Sequence, residues 1–373
     1  MSRKRVVVAG LGDTGVLTAI KLARRADVVG ISVKPGLLSG QELGTRLSRP
    51  HDWARDYWIP FDRLRGLDRV RTVHGEITGV DLGARTLGVR GADGAVHAEP
   101  YDALVISTGV TNGFWRQSTV QDAGAVGADL RAAHDRLAGA GTVMVIGGGA
   151  AAVSTAANVA ATWPAKRVGL YFPGERALPH HHDGVWRRVR RRLEEFGVAL
   201  HPGHRALVPD GFACDQITDG PVHWSSGQPA ASADAVLWAI GRVRPNTGWL
   251  PGELLDEQGF VRVTPTLQVP HQPGVFAVGD VAATDPLRTS ARNRADKLLA
   301  HNVIAEFEGR TLKEYRAPKR RWGSVLGVQA DGLQVFAPSG QAFRFPAWSV
   351  ERILLPLIVR RGIYRGVRTN RPL

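Results

Sequence analysis

The sequence predicts an α/β protein built from two parallel-sheet domains, and three observations predict it. An apolar β-branched run, Val6 to Val8, breaks into Gly10-Leu11-Gly12-Asp13-Thr14-Gly15 and then into Val16 to Leu22 at helical spacing. A second run, Thr142 to Ile146, breaks into Gly147-Gly148-Gly149-Ala150-Ala151-Ala152 and an alanine-rich helix from Val153 to Ala161. The stretch Ala233 to Gly241 then repeats the pattern of Tyr101 to Gly109: an aspartate, a buried strand and a closing glycine. Strand, glycine turn, helix is the context that makes each turn a Rossmann-like dinucleotide fingerprint.

The turn residues have separable physical reasons. Gly10 permits the tight turn, Gly12 lets the backbone approach a pyrophosphate, and Gly15 lets the helix pack against the strand. Free amides at the helix start then face the phosphates, aided by the helix dipole. In the second turn Ala152 takes the third-glycine position, which the motif tolerates.

Bulk properties bound the reading. A chain of 373 residues, 43% hydrophobic with 44 glycines, suits two or three glycine-turned α/β domains. Cys214 is the only cysteine, which excludes an intrachain redox pair and a cysteine-rich metal site. The opening Met1-Ser2-Arg3-Lys4-Arg5 runs straight into the first strand, so no signal peptide is expected. No run of about 18 apolar residues predicts a spanning helix. A net charge of +14 favours an anionic partner.

In chain order, the second strand is expected at Val28 to Val33. A dinucleotide site wants a carboxylate at its end for the ribose hydroxyls. Ser32 stands there, followed by Lys34, so the first site is altered. A stretch containing Arg46, Trp53, Tyr57 and Trp58 shows no regular period. Gly75 to Asp81 and Thr86 to Val89 read as antiparallel strands. The second unit's own second strand, Arg167 to Tyr171, ends at Phe172 without an acid, and Arg176 lies four residues on. A missing acid with a nearby arginine leans toward a 2′-phosphate, hence NADP over NAD.

His180-His181-His182 cannot all aim at one ion from a regular element, and no ligand set completes a metal site. Trp186, Val189, Leu193 and Phe196 form a helical stripe, leaving the adjoining arginines as a solvated face. Without a stacking platform, nucleic-acid binding is not expected. Arg242 to Asn246 leads out of the unit. Pro273 to Asp280 is a further strand ending in Gly279-Asp280, followed by a helix from about Arg292 to Glu308.

Taken in order, Gly10 to Gly15, Ser107-Thr108-Gly109, Gly147 to Gly149, Ala239-Ile240-Gly241 and Val275 to Asp280 resemble the two-dinucleotide-binding-domain flavoproteins. These form the pyridine nucleotide-disulfide oxidoreductase superfamily. The chain is most similar to its branch of apoptosis-inducing-factor-like, ferroptosis-suppressor-like and type II NADH dehydrogenase proteins. The resemblance implies FAD in the first domain, NAD(P)H in a second domain inserted into the first, and a flavin ribitol contact for Asp280. Thr45-Arg46-Leu47-Ser48 resembles that branch's Leu-Arg-Ala-Ser segment, which implies a flavin contact for Arg46. The resemblance also implies an adenine contact for the Ile77 backbone.

Residues 1–112 and 246–310 would then form the FAD domain, 113–245 the NAD(P) domain, and 311–373 a small C-terminal α+β segment. Val325 to Gly332 resembles a segment of the type II dehydrogenases. Ser32 departs from the family's ribose acid, and Ser154 from the glutamate that follows the second fingerprint.

The implied function is an FAD-dependent NAD(P)H oxidoreductase passing electrons to a quinone or similar small acceptor. The cofactor carries the redox chemistry, so no residue need act as nucleophile and no catalytic acid or base is expected, and Cys214 lies outside every motif. The alternatives are a reductase for a ferredoxin-like protein, or a non-enzymatic binder with a degenerate FAD site. In the tail, Val350, Ile353, Leu354, Leu357 and Ile358 fall at helical spacing between Trp348 and a run of arginines ending at Arg368. Such a helix suits a membrane interface; its other reading is packing on the FAD domain or in a homodimer interface. A cytoplasmic protein, peripheral at the inner face of the membrane, is the localisation that follows.

Overall fold

Val6, Val7 and Val8 are fully buried because their strand lies in the middle of a seven-stranded sheet, covered on both faces. A computed structural model of the chain describes residues 3–38, 43–111, 118–241, 243–284, 295–317, 319–320 and 322–368. Among the sequence-predicted features, Met1 and Ser2, the 112/113 boundary, Arg242 and the first turn of the helix expected from Arg292 lie outside these residues.

The first sheet joins β1 (Arg5–Ala9), β2 (Asp27–Ser32), β5 (Val70–Asp81), β6 (Thr86–Gly91), β7 (Val96–Pro100), β8 (Ala103–Ile106) and β16 (Val275–Ala277), in the order β16-β8-β1-β2-β5-β6-β7. Helix α1 (Asp13–Leu22) follows β1 and packs beside α7 (Ala295–Phe307) on one face, around Val16, Ile20, Leu299 and Val303. β5 is longer than the predicted hairpin strand. Its first half pairs in parallel with β2, Ser32 opposite His74, and its second half pairs antiparallel with β6.

The aperiodic stretch folds into α2 (Leu43–Ser48), α3 (Pro50–Tyr57) and a short hairpin of β3 (Gly36–Leu38) with β4 (Trp58–Pro60). These elements are short and held by tertiary packing: Leu43 and Leu47 bury in the core of the second unit.

That second unit is a five-stranded sheet of β10 (Thr142–Ile146), β11 (Arg167–Tyr171), β12 (Ala199–His201), β13 (Thr218–Val222) and β14 (Ala231–Trp238), ordered β12-β11-β10-β14-β13. Helices α5 (Ala150–Thr162) and α6 (Asp183–Glu195) cover one face, and α4 (Ala123–Gly139) leads into β10. The chain enters and leaves this unit side by side, through the antiparallel pair β9 (Val110–Thr111) and β15 (Arg244–Pro245).

The C-terminal segment is a three-stranded sheet, β17 (Val328–Gln329), β18 (Gly332–Phe336) and β19 (Ala342–Phe345), then α8 (Ala347–Ser349) and a π-helix at Val350–Ile363. The tail stripe expected at 3.6-residue spacing is corrected here. The π-helix contains Pro356 and its i→i+5 bonding changes the period. Val350, Leu354 and Leu355 therefore pack on Leu333 and Val335, while Ile353, Leu357 and Ile358 are 42–51% exposed. Beyond the helix, Tyr364 is buried against the first core and donates its hydroxyl to Asp13 at 3.1 Å. Among the described residues no helix is long and apolar enough to cross a membrane.

Candidate functional site

The first glycine turn is tight for a steric reason. Gly10 has φ +101°, and a Cβ there would lie 2.5 Å from the Ser107 carbonyl oxygen. Ser107 closes the turn from β8, its hydroxyl donating to the Gly10 oxygen at 2.7 Å. Gly15 brings α1 within reach of the turn, since a Cβ on it would meet the Gly10 oxygen at 2.0 Å. Gly12, by contrast, faces open space, and no side chain caps α1 there. A helix start without a side-chain cap is suited to an anionic ligand.

The turn opens on a cavity of about 680 Å³ at the carboxyl ends of the parallel strands, a size within the range of ligand sites and a place where open α/β sheets bind them. Leu11, Asp13 and Thr14 line it beside Gly10 and Gly12. Thr108 and Gly109 line it after β8, Gly279 and Asp280 after β16, Ser32 and Lys34 at and just past the end of β2, and Ile77 from β5. The sequence-predicted first-site residues therefore meet at one cavity, with two exceptions. Gly15 works beneath the turn. Arg46 is buried with its guanidinium 4.6 Å from the Trp53 ring centroid, and lines an adjoining cavity of about 60 Å³ that it shares with Lys34.

Lys34 is the buried cation of this site. Its Nζ donates to the Thr119 oxygen at 2.6 Å, and burial pushes its pKa down to about 8 against the pull of Asp129. Ser32 is used locally, its hydroxyl oxygen accepting from the Lys34 N–H at 3.2 Å.

The second turn repeats the steric logic. Gly147 has φ +138°, and a Cβ there would meet the Ala239 oxygen at 2.1 Å and the Ala152 methyl at 3.3 Å. Gly149 faces open space at the start of α5, with Ala150 and Ala151 in the first turn. The loop after β11 then folds onto the turn, the Leu178 N–H donating to the Gly148 oxygen at 2.6 Å. Phe172 is a packing residue, buried edge-on against Trp186 at 5.8 Å beneath Gly148. Arg176 sits in this loop, paired with Asp183 at 3.1 Å and reaching the Pro179 and His181 carbonyls. Gly241, at φ +74°, closes β14 beside open space. His182 caps α6, its Nδ1 accepting from the Gly184 N–H at 3.1 Å. No group of three metal-ligating side chains occurs among the described residues.

Sequence reasoning missed several residues of the first cavity: Glu76, Arg244, Asn246 and Trp249. Asn246 ties the two connections together, donating to the Thr108 oxygen at 3.0 Å and accepting from the Thr111 hydroxyl at 2.8 Å. Its signal was its place directly after Pro245, where the chain returns to the first sheet.

The chain matches the pyridine nucleotide-disulphide oxidoreductase family over residues 4–305. Oxidoreductase ptaL of Pestalotiopsis fici is 28% identical over 383 residues, covering 95% of this chain and 96% of that protein. Type II NADH:quinone oxidoreductase Ndh of Mycobacterium tuberculosis is 26% identical over 370 residues, covering 82% and 73%. Among solved structures, the water-forming NADH oxidase from Lactobacillus brevis bound to NADH gives a TM-score of 0.62 at 18% identity, covering 84% of this chain and 71% of that one. NDH2 from Plasmodium falciparum in complex with NADH gives 0.59 at 15% identity, covering 75% and 64%. At those identities the structural likeness speaks to the fold. The family match, running through both glycine turns, carries more: the chain belongs to the pyridine nucleotide-disulphide oxidoreductase family, whose cofactors are FAD and NAD(P)H.

Proposed function

We propose that the chain is an FAD-dependent NAD(P)H oxidoreductase that passes electrons to a quinone or similar small acceptor without a thiol relay. The observation that carries this is the cavity over the first turn. It combines an open Gly12, the uncapped start of α1, and Asp280 at the far strand end. Those residues fit FAD: amides for the pyrophosphate and a carboxylate for the ribitol hydroxyls. Bound FAD supplies hydride acceptance and onward electron transfer, and the protein supplies placement. The second turn, with Gly149 and α5, would hold the nicotinamide dinucleotide. Cys214 is 2% exposed and packs with Met144 and Trp238, outside both turns.

The quinone reading is supported by the relative from Mycobacterium tuberculosis, named for that reaction. Surface chemistry supports a peripheral contact of residues 348–368 with an anionic membrane. Trp348, Leu357 and Ile358 are at least half exposed, with Arg352 and Arg361 also on the surface. The proposed domain boundaries fall at 112, 245 and 310, with FAD on the flanking stretches.

The test is the purified full chain. A bound-flavin spectrum is expected, along with NAD(P)H oxidation that quinone supports and that a Cys214→Ser variant retains. A colourless protein that cannot be reconstituted with FAD would overturn the assignment. Preference for a ferredoxin-like protein over quinone would move the acceptor to the second reading. Loss of sedimentation with anionic vesicles in Leu357→Glu/Ile358→Glu is the result expected of the membrane contact.

A further inference from the structure

Ser32 leaves the first site without an acid at the end of β2, yet the cavity holds three carboxylates among its described lining residues: Asp13, Glu76 and Asp280. Their places in the sheet order β16-β8-β1-β2-β5 separate their roles. Asp280 follows β16, at one side of the glycine turn, and Asp13 opens α1 and takes the Tyr364 hydroxyl. Glu76 belongs to β5, on the other side, beyond β2.

An extended dinucleotide with its pyrophosphate at the turn after β1 places its adenosine on the β2 side, where a ribose acid normally stands. Glu76 is the carboxylate on that side. The parallel register sets Ser32 opposite His74, so Glu76, two residues on, points to the same sheet face as Ser32. It also stands about 7 Å further toward the strand's carboxyl end, at the level of the ligand. Ile77, its neighbour, lines the same end of the cavity.

Neither residue at the β2 end offers the charged acceptor of a carboxylate. The Ser32 hydroxyl, one lone pair of which takes the Lys34 N–H, is neutral and binds a diol more weakly than a carboxylate, and a lysine ammonium has no acceptor for a diol. Glu76 is held from below: Arg90, its cross-strand partner, binds Oε1 at 2.7 Å and leaves Oε2 for another donor. We propose that Glu76 is the carboxylate that accepts the adenosine ribose hydroxyls in the first site, moved one strand over from the usual position at Ser32. The inference rests on the first-site FAD reading.

The test is flavin binding to apoprotein, followed by fluorescence quenching, for wild type, Glu76→Gln and Ser32→Ala. Glu76→Gln keeps the shape and should weaken FAD by roughly tenfold or more, as expected for loss of a charge-assisted bond. Ser32→Ala should change it less than about threefold. An FAD analogue lacking the adenosine 2′-hydroxyl should lose affinity for wild type but not further for Glu76→Gln. A change confined to folding would not show that pattern. Adding Ser32→Asp to Glu76→Gln should restore part of the affinity. Wild type that takes up no FAD removes the first-site reading and this inference with it. A flavin-binding chain in which Glu76→Gln changes nothing, or loses both ligands equally, removes the inference alone.

Discussion

The two glycine turns share a skeleton and differ in what covers them. Gly10 and Gly147 both take positive φ, and each would drive a Cβ into the carbonyl of a neighbouring strand end, Ser107 in one case and Ala239 in the other. Gly12 and Gly149 both face open space at the start of a helix. Past that point they diverge. The first turn opens on a cavity of about 680 Å³ whose walls include the returning residues Arg244 to Asn246. The second is overlaid by its own loop, fixed by Leu178 on Gly148 and packed on Phe172. A fingerprint specifies a tight turn with free amides. What that turn can bind is specified by the loop that follows the next strand.

The largest effect should come from the positions where the turns are alike. Gly10→Ala and Gly147→Ala each force a Cβ into backbone oxygen at a φ that alanine avoids, at a cost of about 3 kcal/mol. Gly12→Ala and Gly149→Ala meet nothing and change only a helix cap, which costs under about 1 kcal/mol. Thermal unfolding of the four variants separates the pairs, and ligand titration separates the sites. Gly12→Ala should weaken FAD and spare NAD(P)H, and Gly149→Ala should do the reverse. Equal loss of both ligands in either variant would break the comparison.

The next effect separates the two cations. Burial holds Lys34 at about 8, against 10.5 for ordinary lysine. Between those values the unfolded chain keeps a proton that the folded chain has released, so stability rises with pH. Lys34→Met removes that rise. The ΔG gap between wild type and variant should move by about 2 kcal/mol toward wild type from about pH 7.5 to pH 10, as read by urea unfolding. A constant gap would show that the first site's cation is not strained by burial.

The smallest effect belongs to Arg176, whose pair with Asp183 is on the surface. Exposed pairs contribute up to about 1 kcal/mol. Freeing the guanidinium with Asp183→Asn should therefore raise the kcat/KM ratio of NADPH to NADH by at most about fivefold. An unchanged ratio would place Arg176 away from the 2′-phosphate and leave its role to the loop.

Legibility followed the same division. Gly10, Gly15 and Gly147 were readable because steric exclusion leaves few alternatives, and Val6 to Val8 because a doubly covered strand must be apolar throughout. Helices α2 and α3 were not, being six and eight residues long and held by packing rather than by a period of their own, α2 through Leu43 and Leu47 in the second core and α3 through Trp53 under Arg46. Glu76 was hidden as one polar residue of an amphipathic strand; its meaning depends on β5 lying next to β2. The tail failed for a different reason. Pro356 sits in a π-helix, so a 3.6-residue template assigned Ile353, Leu357 and Ile358 to the same face as Val350.

The pairing of β9 with β15, tied by Asn246 to Thr108 and Thr111, has a consequence for how this chain can change. It pins the two ends of the excursion that carries the second sheet. Closing a loop costs only about 0.6 kcal/mol more for each doubling of its length. Loops within the excursion can therefore lengthen at little expense to the first sheet. A short turn joining Thr111 to Arg244 would leave that sheet's hydrogen-bond order untouched. In evolutionary terms the outer loops of the second sheet can lengthen or shrink behind a doorway two residues wide on each side, while Thr119 on Lys34 and α2 in the second core keep the two units matched.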